Sequence, residues 1–394
     1  MGQAGVRVLV FTNLWPSSVA LQHGSFVRER VRRLRARLGF DLEVVHPLPL
    51  YPKLPGDSFA ARHSRLGAEE VVDGVRVHYP RYFHVPRFGV GRQAMRMERG
   101  CRKVFSEIVR RFEPHIVDTH YLYPDACAGI RLATSHGKPA FATARGSDVN
   151  LLGTVDAVRA QFAETLPRAR RLMTVSTALA RELERVACLP EGSVITMRNG
   201  VDLERFSVGD GPPEPRILCI ARLVEIKRVD LLVRAMQHVR AGVRLDVVGS
   251  GPQRPQLERI RDELGLGERV RFLGQRTRED VAAELRRGGV FALASRHEGW
   301  PNALMEGLAS GMFAVVSAAG GMPEILGSSE TDAGVVIEVD ADATAWGAAL
   351  DAAAERLLRD GRRSGNGARK RAEALSWDHT IEALAGYFEE AAAQ

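Results

Sequence analysis

Short apolar runs rich in Val, Ile and Leu recur along the whole chain, separated by longer segments of helical period. In the first half they are Val6–Phe11, Leu42–Pro47, His115–His120, Ala140–Ala144 and Leu172–Ser176. They continue as Ile217–Ala221, Leu245–Gly249, Val270–Gly274, Val290–Ser295, Ala314–Ala318 and Val335–Val339. A strand apolar on both sides must be covered on both faces, and strands joined through helices run parallel. The pattern therefore predicts an α/β protein of doubly wound parallel sheets. At 394 residues the chain exceeds what one ordinary core supports. The stretch GDGPPEP, Gly209–Pro215, parts the two series and reads as a hinge. The expected domains are 1–208 and 209–376. The segment 377–394 carries an amphipathic helix with Ile381, Leu384, Ala385 and Phe388 on one side. That helix is expected to pack back on the first domain.

Charge divides along the same line. Residues 1–208 hold 31 Lys and Arg against 20 Asp and Glu, a net +11; residues 209–394 hold 24 against 28, a net −4. Two predicted helices concentrate the positive charge. In 25–38 the apolar positions Val27, Val31, Leu34 and Leu38 leave Arg28, Arg30, Arg32, Arg33, Arg35 and Arg37 for the surface. In 92–112, Met97, Cys101, Val104 and Ile108 turn inward, and Arg92, Arg96, Arg99, Arg102, Lys103, Arg110 and Arg111 outward. Such faces suit solvent or anionic lipid headgroups. Without interleaved aromatics or a known module, nucleic acid is not an expected partner. No run of 18 apolar residues occurs, and the start MGQAGVRVLVF lacks the layout of a secretory signal. The expectation is a cytoplasmic protein, peripheral on the cytoplasmic membrane face. Four scattered cysteines and unpaired histidines predict neither a disulfide framework nor a metal site.

The densest chemistry lies in SRHEGWPNALMEGLASG, Ser295–Gly311. It opens at a strand's carboxyl end, offers Pro301 for the first turn of a helix over Asn302–Ser310, and ends on Gly311. A helix starting there directs its free N–H groups into the crevice where doubly wound sheets bind phosphate. Glu298 precedes it and Glu306 lies within it, and carboxylates accept hydrogen bonds from sugar hydroxyls. A second strand ends in ARLVEIK, which places Arg222 and Lys227 where they can clamp a diphosphate. The pair Asp340–Asp342 could suggest a metal, but Asp342 opens a helical segment and reads as its N-cap.

These pieces together resemble the E-x7-E signature and flanking motifs of the retaining glycosyltransferases of family 4. ARLVEIK, VVGSGP, VRFLG and NGVD fall in that family's order. LQHGSFVRERVRRL, DTHYLYPDACAG and ATARGSDVN resemble bacterial members that build cell-surface polysaccharides. The resemblance implies the GT-B architecture, two Rossmann-like domains facing a central cleft. It further implies transfer of a sugar from a nucleotide-diphosphate donor, UDP-sugar or GDP-mannose, to a glycan or polyprenyl-linked acceptor without cofactor or metal. By the same resemblance Glu298 contacts the donor sugar and Glu306 the ribose. Arg222 and Lys227 neutralise the diphosphate, beside Trp300, Pro301, Asn302 and Ala303. Gly249 and Gly251 give the nucleotide room, and Gln275 lies by the base. His120 is the catalytic-centre histidine, with Gly24 over the phosphates and Arg145 and Asp148 on the acceptor side. Three departures from the family pattern are Gly289 in place of an Asp, Gly307 in place of an Ala, and GMFAVV at 311–316, where a small residue and Pro usually precede the valines. The alternatives are a sugar-nucleotide epimerase of the same architecture and a non-catalytic nucleotide-sugar binding protein.

Overall fold

The computed structural model describes residues 6–393 except 22, 51–55, 57, 85–88, 328 and 329. Two compact units are present: Met1–Arg198 with His379–Gln394, and Asn199–Asp378. The Gly209–Pro215 stretch lies inside the second unit.

The first unit is built on an eight-stranded sheet. Its order is Ile195–Thr196, Arg171–Thr174, Ala140–Thr143, Ile116–His120, Arg7–Phe11, Asp41–Val45, Val75–His78, Glu69–Val72. All pairings are parallel except the last, a hairpin whose turn residues Asp73 and Gly74 have φ of 52° and 73°. Positive φ at both positions is what an Asp-Gly type I′ turn requires. Chain order reverses on either side of Arg7–Phe11, so the switch point of the sheet lies between that strand and Ile116–His120. Covering the sheet, helix Gln93–Phe112 buries Met97, Cys101, Phe105 and Ile108. Phe105 takes the inward place expected for Val104. The terminal helix Trp377–Ala392 contributes Phe388, which lies 5.3 Å from the Phe141 ring and 6.3 Å from Phe40. Its Glu382 and Glu390 bond Arg37, Arg170 and Arg171.

Helix Ser25–Leu38 departs from expectation at one residue. Arg30 is 1% exposed instead of on the surface. The reason is helical geometry: position 30 lies three residues from Val27 and four from Leu34, inside the stripe that meets the sheet. Four of the other five arginines bond carboxylates of this unit: Arg28 to Asp73, Arg32 and Arg33 to Glu29, and Arg37 to Glu382.

The second unit has a seven-stranded sheet in the order Val270–Gly274, Arg244–Val248, Arg216–Ile220, Val290–Leu293, Phe313–Ser317, Gly334–Ile337, Glu330–Thr331. Only the last pairing is antiparallel. The switch point falls between Arg216–Ile220 and Val290–Leu293. Helix Ala343–Asp360 packs Trp346 and Leu350 into the core and starts at Asp342, whose carboxylate caps Ala345 N at 2.9 Å. The two glycines among the family departures have packing causes. Gly289 has φ 128°, and a Cβ there would lie 2.6 Å from the carbonyl oxygen of buried Arg216. That arginine bonds Asp246 at 3.0 Å and Glu284 at 2.7 Å. At Gly307 a Cβ would stand 2.8 Å from the Phe291 ring, so the helix lies unusually close to its sheet.

Candidate functional site

In the second unit the two strands that flank the switch point end in the loops that carry the predicted donor residues. The first loop holds exposed Arg222 and then the short helical turn Glu225–Lys227. The second runs from Ser295 to helix Asn302–Ala309. Across them Lys227 Nζ donates to Glu298 Oε1 at 2.5 Å, and Ser295 Oγ donates to the same oxygen at 2.7 Å. The two groups assigned to the diphosphate and to the adjoining sugar of a donor are thus each other's partner. The turn before the helix is pinned from behind: Gly320 has φ 55°, and a Cβ there would sit 1.7 Å from the Glu298 carbonyl oxygen.

Pro301 has φ −72° and ψ 105° and stands just before the helix, not in its first turn. Trp300 and Pro301 are buried, so they form the floor of this loop, whereas Asn302 and Ala303 reach its surface. Asn302 accepts from Asn199 Nδ2 at 3.3 Å, which ties NGVD to the helix start. The first amides of any helix lack intrahelical partners and attract anions. Glu306 keeps an edge in solvent but is otherwise enclosed, and burial pushes its carboxyl up to about 7 against the opposing charges of Arg278 and Arg205. Both arginines were missed in the sequence. Each follows a quoted motif, NGVD and VRFLG, by only a few residues, and that adjacency is the signal that could have found them.

A cavity of about 360 Å³ opens beside the first loop, lined by Arg222, Gly249, Ser250, Gln275, Arg276 and Val281 among others. Ser250 Oγ bonds Gln275 Oε1 at 3.3 Å on its rim. Both glycines are also demanded by the neighbouring backbone. A Cβ on Gly249, whose φ is 140°, would fall 1.9 Å from Ala221 O, and one on Gly251 would fall 2.3 Å from Leu223 O. Their missing side chains make room for the Arg222 loop.

The first unit gathers a buried charged cluster at the carboxyl end of Ile116–His120. Arg145 Nη2 lies 2.8 Å from His120 Nδ1. A guanidinium can only donate, so Nδ1 accepts and the neutral ring carries its proton on Nε2. Nε2 stands 3.2 Å from Asp118 Oδ2. Burial pushes the imidazole down to about 4; Asp118 opposes this, and Arg145 and Arg30 add to it. Burial alone would raise Asp118, but His120, Arg30 and Arg145 hold it below its ordinary value. Burial, then Arg30, brings Arg145 down to about 9.

Asp148 does not line a ligand surface. It is fully buried, and its carboxylate accepts the amides of Arg145 at 3.0 Å, Gly146 at 2.7 Å and Leu122 at 2.7 Å. Strand-to-helix turns leave such amides without backbone partners, and the carboxylate satisfies three of them. Gly24 is likewise buried, with φ 64°, where a Cβ would meet Leu14 O at 2.1 Å. Asp125, raised well above its usual value by burial, accepts Asn13 N at 2.6 Å and anchors that same loop.

Among the described residues no helix is long and apolar enough to cross a membrane. No group of three or more His, Cys, Asp or Glu side chains among them is placed to hold a metal ion.

Two family models match. The model described as Glycosyltransferase Family 4 covers residues 23–205, and that described as Glycosyl transferases group 1 covers residues 214–360. A Bacillus subtilis protein described as a teichuronic acid biosynthesis glycosyltransferase is 25% identical, with 82% of this chain aligned to 84% of its length. The D-inositol 3-phosphate glycosyltransferase of Mycobacterium ulcerans is 29% identical over 56% of this chain and 50% of its own. The MMP alpha-(1->4)-mannosyltransferase of Mycolicibacterium hassiacum is 30% identical over 57% and 54%. The chain thus spans about half the length of these last two curated relatives. Among solved structures, sucrose-phosphate synthase of Thermosynechococcus elongatus superposes with a TM-score of 0.76 at 19% identity, over 98% of each chain. Anabaena HepE in complex with UDP and glucose gives 0.71 at 14%, over 98% of this chain and all of that one. At these identities the structures speak for the fold.

Proposed function

Since this chain belongs to glycosyltransferase family 4 and has its GT-B fold of two Rossmann-like units, we propose that it transfers a sugar from a nucleotide-diphosphate donor to a glycan acceptor with retention of configuration. The observation that carries the proposal is the convergence of Lys227, Glu298 and the start of helix Asn302–Ala309 at the switch point of the second unit, with Arg222 in the adjoining cavity. Breaking a glycosyl–phosphate bond builds negative charge on the diphosphate, and prearranged cations and amides stabilise it. In this reading an arriving donor separates Lys227 from Glu298. Its phosphates take the ammonium and its sugar hydroxyls take the carboxylate. Glu306 holds the ribose, and Gln275 lies beside the base. These fixed charges do the work that a metal would otherwise do.

The acceptor belongs to the first unit, where His120 and Arg145 meet at the carboxyl end of a strand. Names of relatives such as D-inositol 3-phosphate glycosyltransferase support a phosphate-bearing acceptor, and teichuronic acid biosynthesis supports a role in cell-surface polysaccharide assembly. Contact with an anionic membrane then falls to helix Gln93–Phe112, because the arginines of Ser25–Leu38 are largely engaged within their own unit. Sedimentation with vesicles tests this: binding should favour anionic over neutral lipid, and equal binding to both would remove it.

A panel of UDP-, GDP- and ADP-sugars in a thermal-shift assay, followed by product analysis with and without acceptor, tests the main reading. A new glycoside only when acceptor is present supports transfer. Conversion of the donor sugar without acceptor would indicate an epimerase, and nucleotide binding without turnover a binding protein.

A further inference from the structure

Arg30 is a long cation enclosed by protein on a helix whose other arginines reach the surface or bond carboxylates there. Burying a guanidinium costs several kcal/mol unless its surroundings compensate, so its position calls for a role. It donates to Thr143 Oγ1 at 3.2 Å and lies 3.8 Å from Met173 Sδ. Thr143 is the register partner of His120 on the neighbouring strand. Asp118 stands two residues before His120 on the same face of its strand and meets His120 Nε2 at 3.2 Å. From the other side Arg145 meets Nδ1 at 2.8 Å.

We propose that Arg30 is a positioning residue for the reaction: buried and tied to Thr143, the register partner of His120, it adds a second fixed cation to that of Arg145 around the ring, which stays neutral with its proton on Nε2 toward Asp118 and Nδ1 turned to Arg145. The inference rests on the glycosyltransferase reading for its functional consequence, but the arrangement can be tested without it. The charged groups that face His120 are Asp118 on its own strand, Arg145 beyond the next strand and Arg30 on the helix. Two cations therefore oppose one carboxylate around a neutral ring. Without Arg30 one of the two cations that face the ring is gone while Asp118 keeps its contact with Nε2, and the ring becomes easier to protonate.

The experiment is a histidine NMR titration of the full chain, native and Arg30→Met, beside Arg30→Lys and Thr143→Val. In the native chain His120 should stay neutral down to about pH 4. In Arg30→Met its midpoint should rise by on the order of one unit, and Arg30→Lys should restore most of the native value. Nucleotide-induced thermal shifts should be equal in all four, since the donor residues lie in the second unit. Where transfer is measured, kcat should fall about tenfold or more in Arg30→Met with KM for the donor unchanged, and its acid limb should move to higher pH. Thr143→Val removes only the hydroxyl that holds Arg30 and should shift the midpoint in the same direction by less. If Arg30→Met does not fold, Thr143→Val decides. A folded Arg30→Met, or failing that Thr143→Val, with native His120 titration would overturn the inference. Absence of nucleotide binding in the native chain would instead overturn the glycosyltransferase reading and leave the titration result standing.

Discussion

Replacing Lys227 by Met keeps the aliphatic stem and removes the ammonium that bonds Glu298 at 2.5 Å. The side chains are 17% and 9% exposed, so the Lys227→Met chain strands a largely buried carboxylate. Removing one partner of a fully buried pair costs roughly 3 to 5 kcal/mol. Here Ser295 still donates at 2.7 Å, and the slight exposure lets water in. The expected loss is therefore about 2 kcal/mol, within the range for a buried group that loses a charged partner. For a unit of this size that corresponds to about 4 to 8 °C in Tm. Glu298→Gln relieves the stranded charge, so adding it to Lys227→Met should recover part of the loss. A double-mutant cycle by urea denaturation should give a coupling of on the order of 1 to 2 kcal/mol without ligand. Saturating nucleotide-sugar, by separating the pair, should shrink that coupling, while both single substitutions depress transfer. The reasoning fails if the coupling is near zero without ligand, or if it is unchanged by a donor that demonstrably binds.

Glu306 carries a carboxyl raised to about 7 from an ordinary 4.5. Its folded value lies above the unfolded one, so it favours folding fully below the unfolded value, and this is lost as pH rises through about 7. Glu306→Gln should therefore be more stable than the native chain at pH 8 by up to about 3 kcal/mol, yet match it near pH 4, while binding nucleotide more weakly. Urea midpoints at the two pH values check this, and a constant difference between them would refute it. Gly320→Ala, whose Cβ would lie 1.7 Å from Glu298 O, should displace the Glu298 turn and lower both Tm and nucleotide binding. Gly307→Ala should fail to deliver the roughly 1 kcal/mol that helix propensity promises, because its Cβ meets the Phe291 ring at 2.8 Å. A clear Tm gain in Gly307→Ala would refute the packing argument.

Periodicity and motif spacing were enough to determine the alternating elements, the placement of Lys227 and Glu298 in loops after strands, and Glu306 within a helix. These are local properties: an apolar run reads as a strand whatever lies beside it, and a motif after such a run falls at its carboxyl end. The Asp73–Gly74 hairpin was equally local, and its Asp-Gly turn went unread. Tertiary structure alone decided which groups meet. Six arginines on helix Ser25–Leu38 look alike in sequence, and only the packed face selects Arg30 for burial beside Thr143 and Met173. Asp148 reads as an available carboxylate until three amides of a folded turn claim it. Gly249, Gly251 and Gly320 read as room for a ligand or as nothing at all, yet each sits where another loop's carbonyl oxygen passes. Lys227 and Glu298 are 71 residues apart in the chain. Their contact exists because strand order places Arg216–Ile220 beside Val290–Leu293, a non-local pairing that no window of sequence contains.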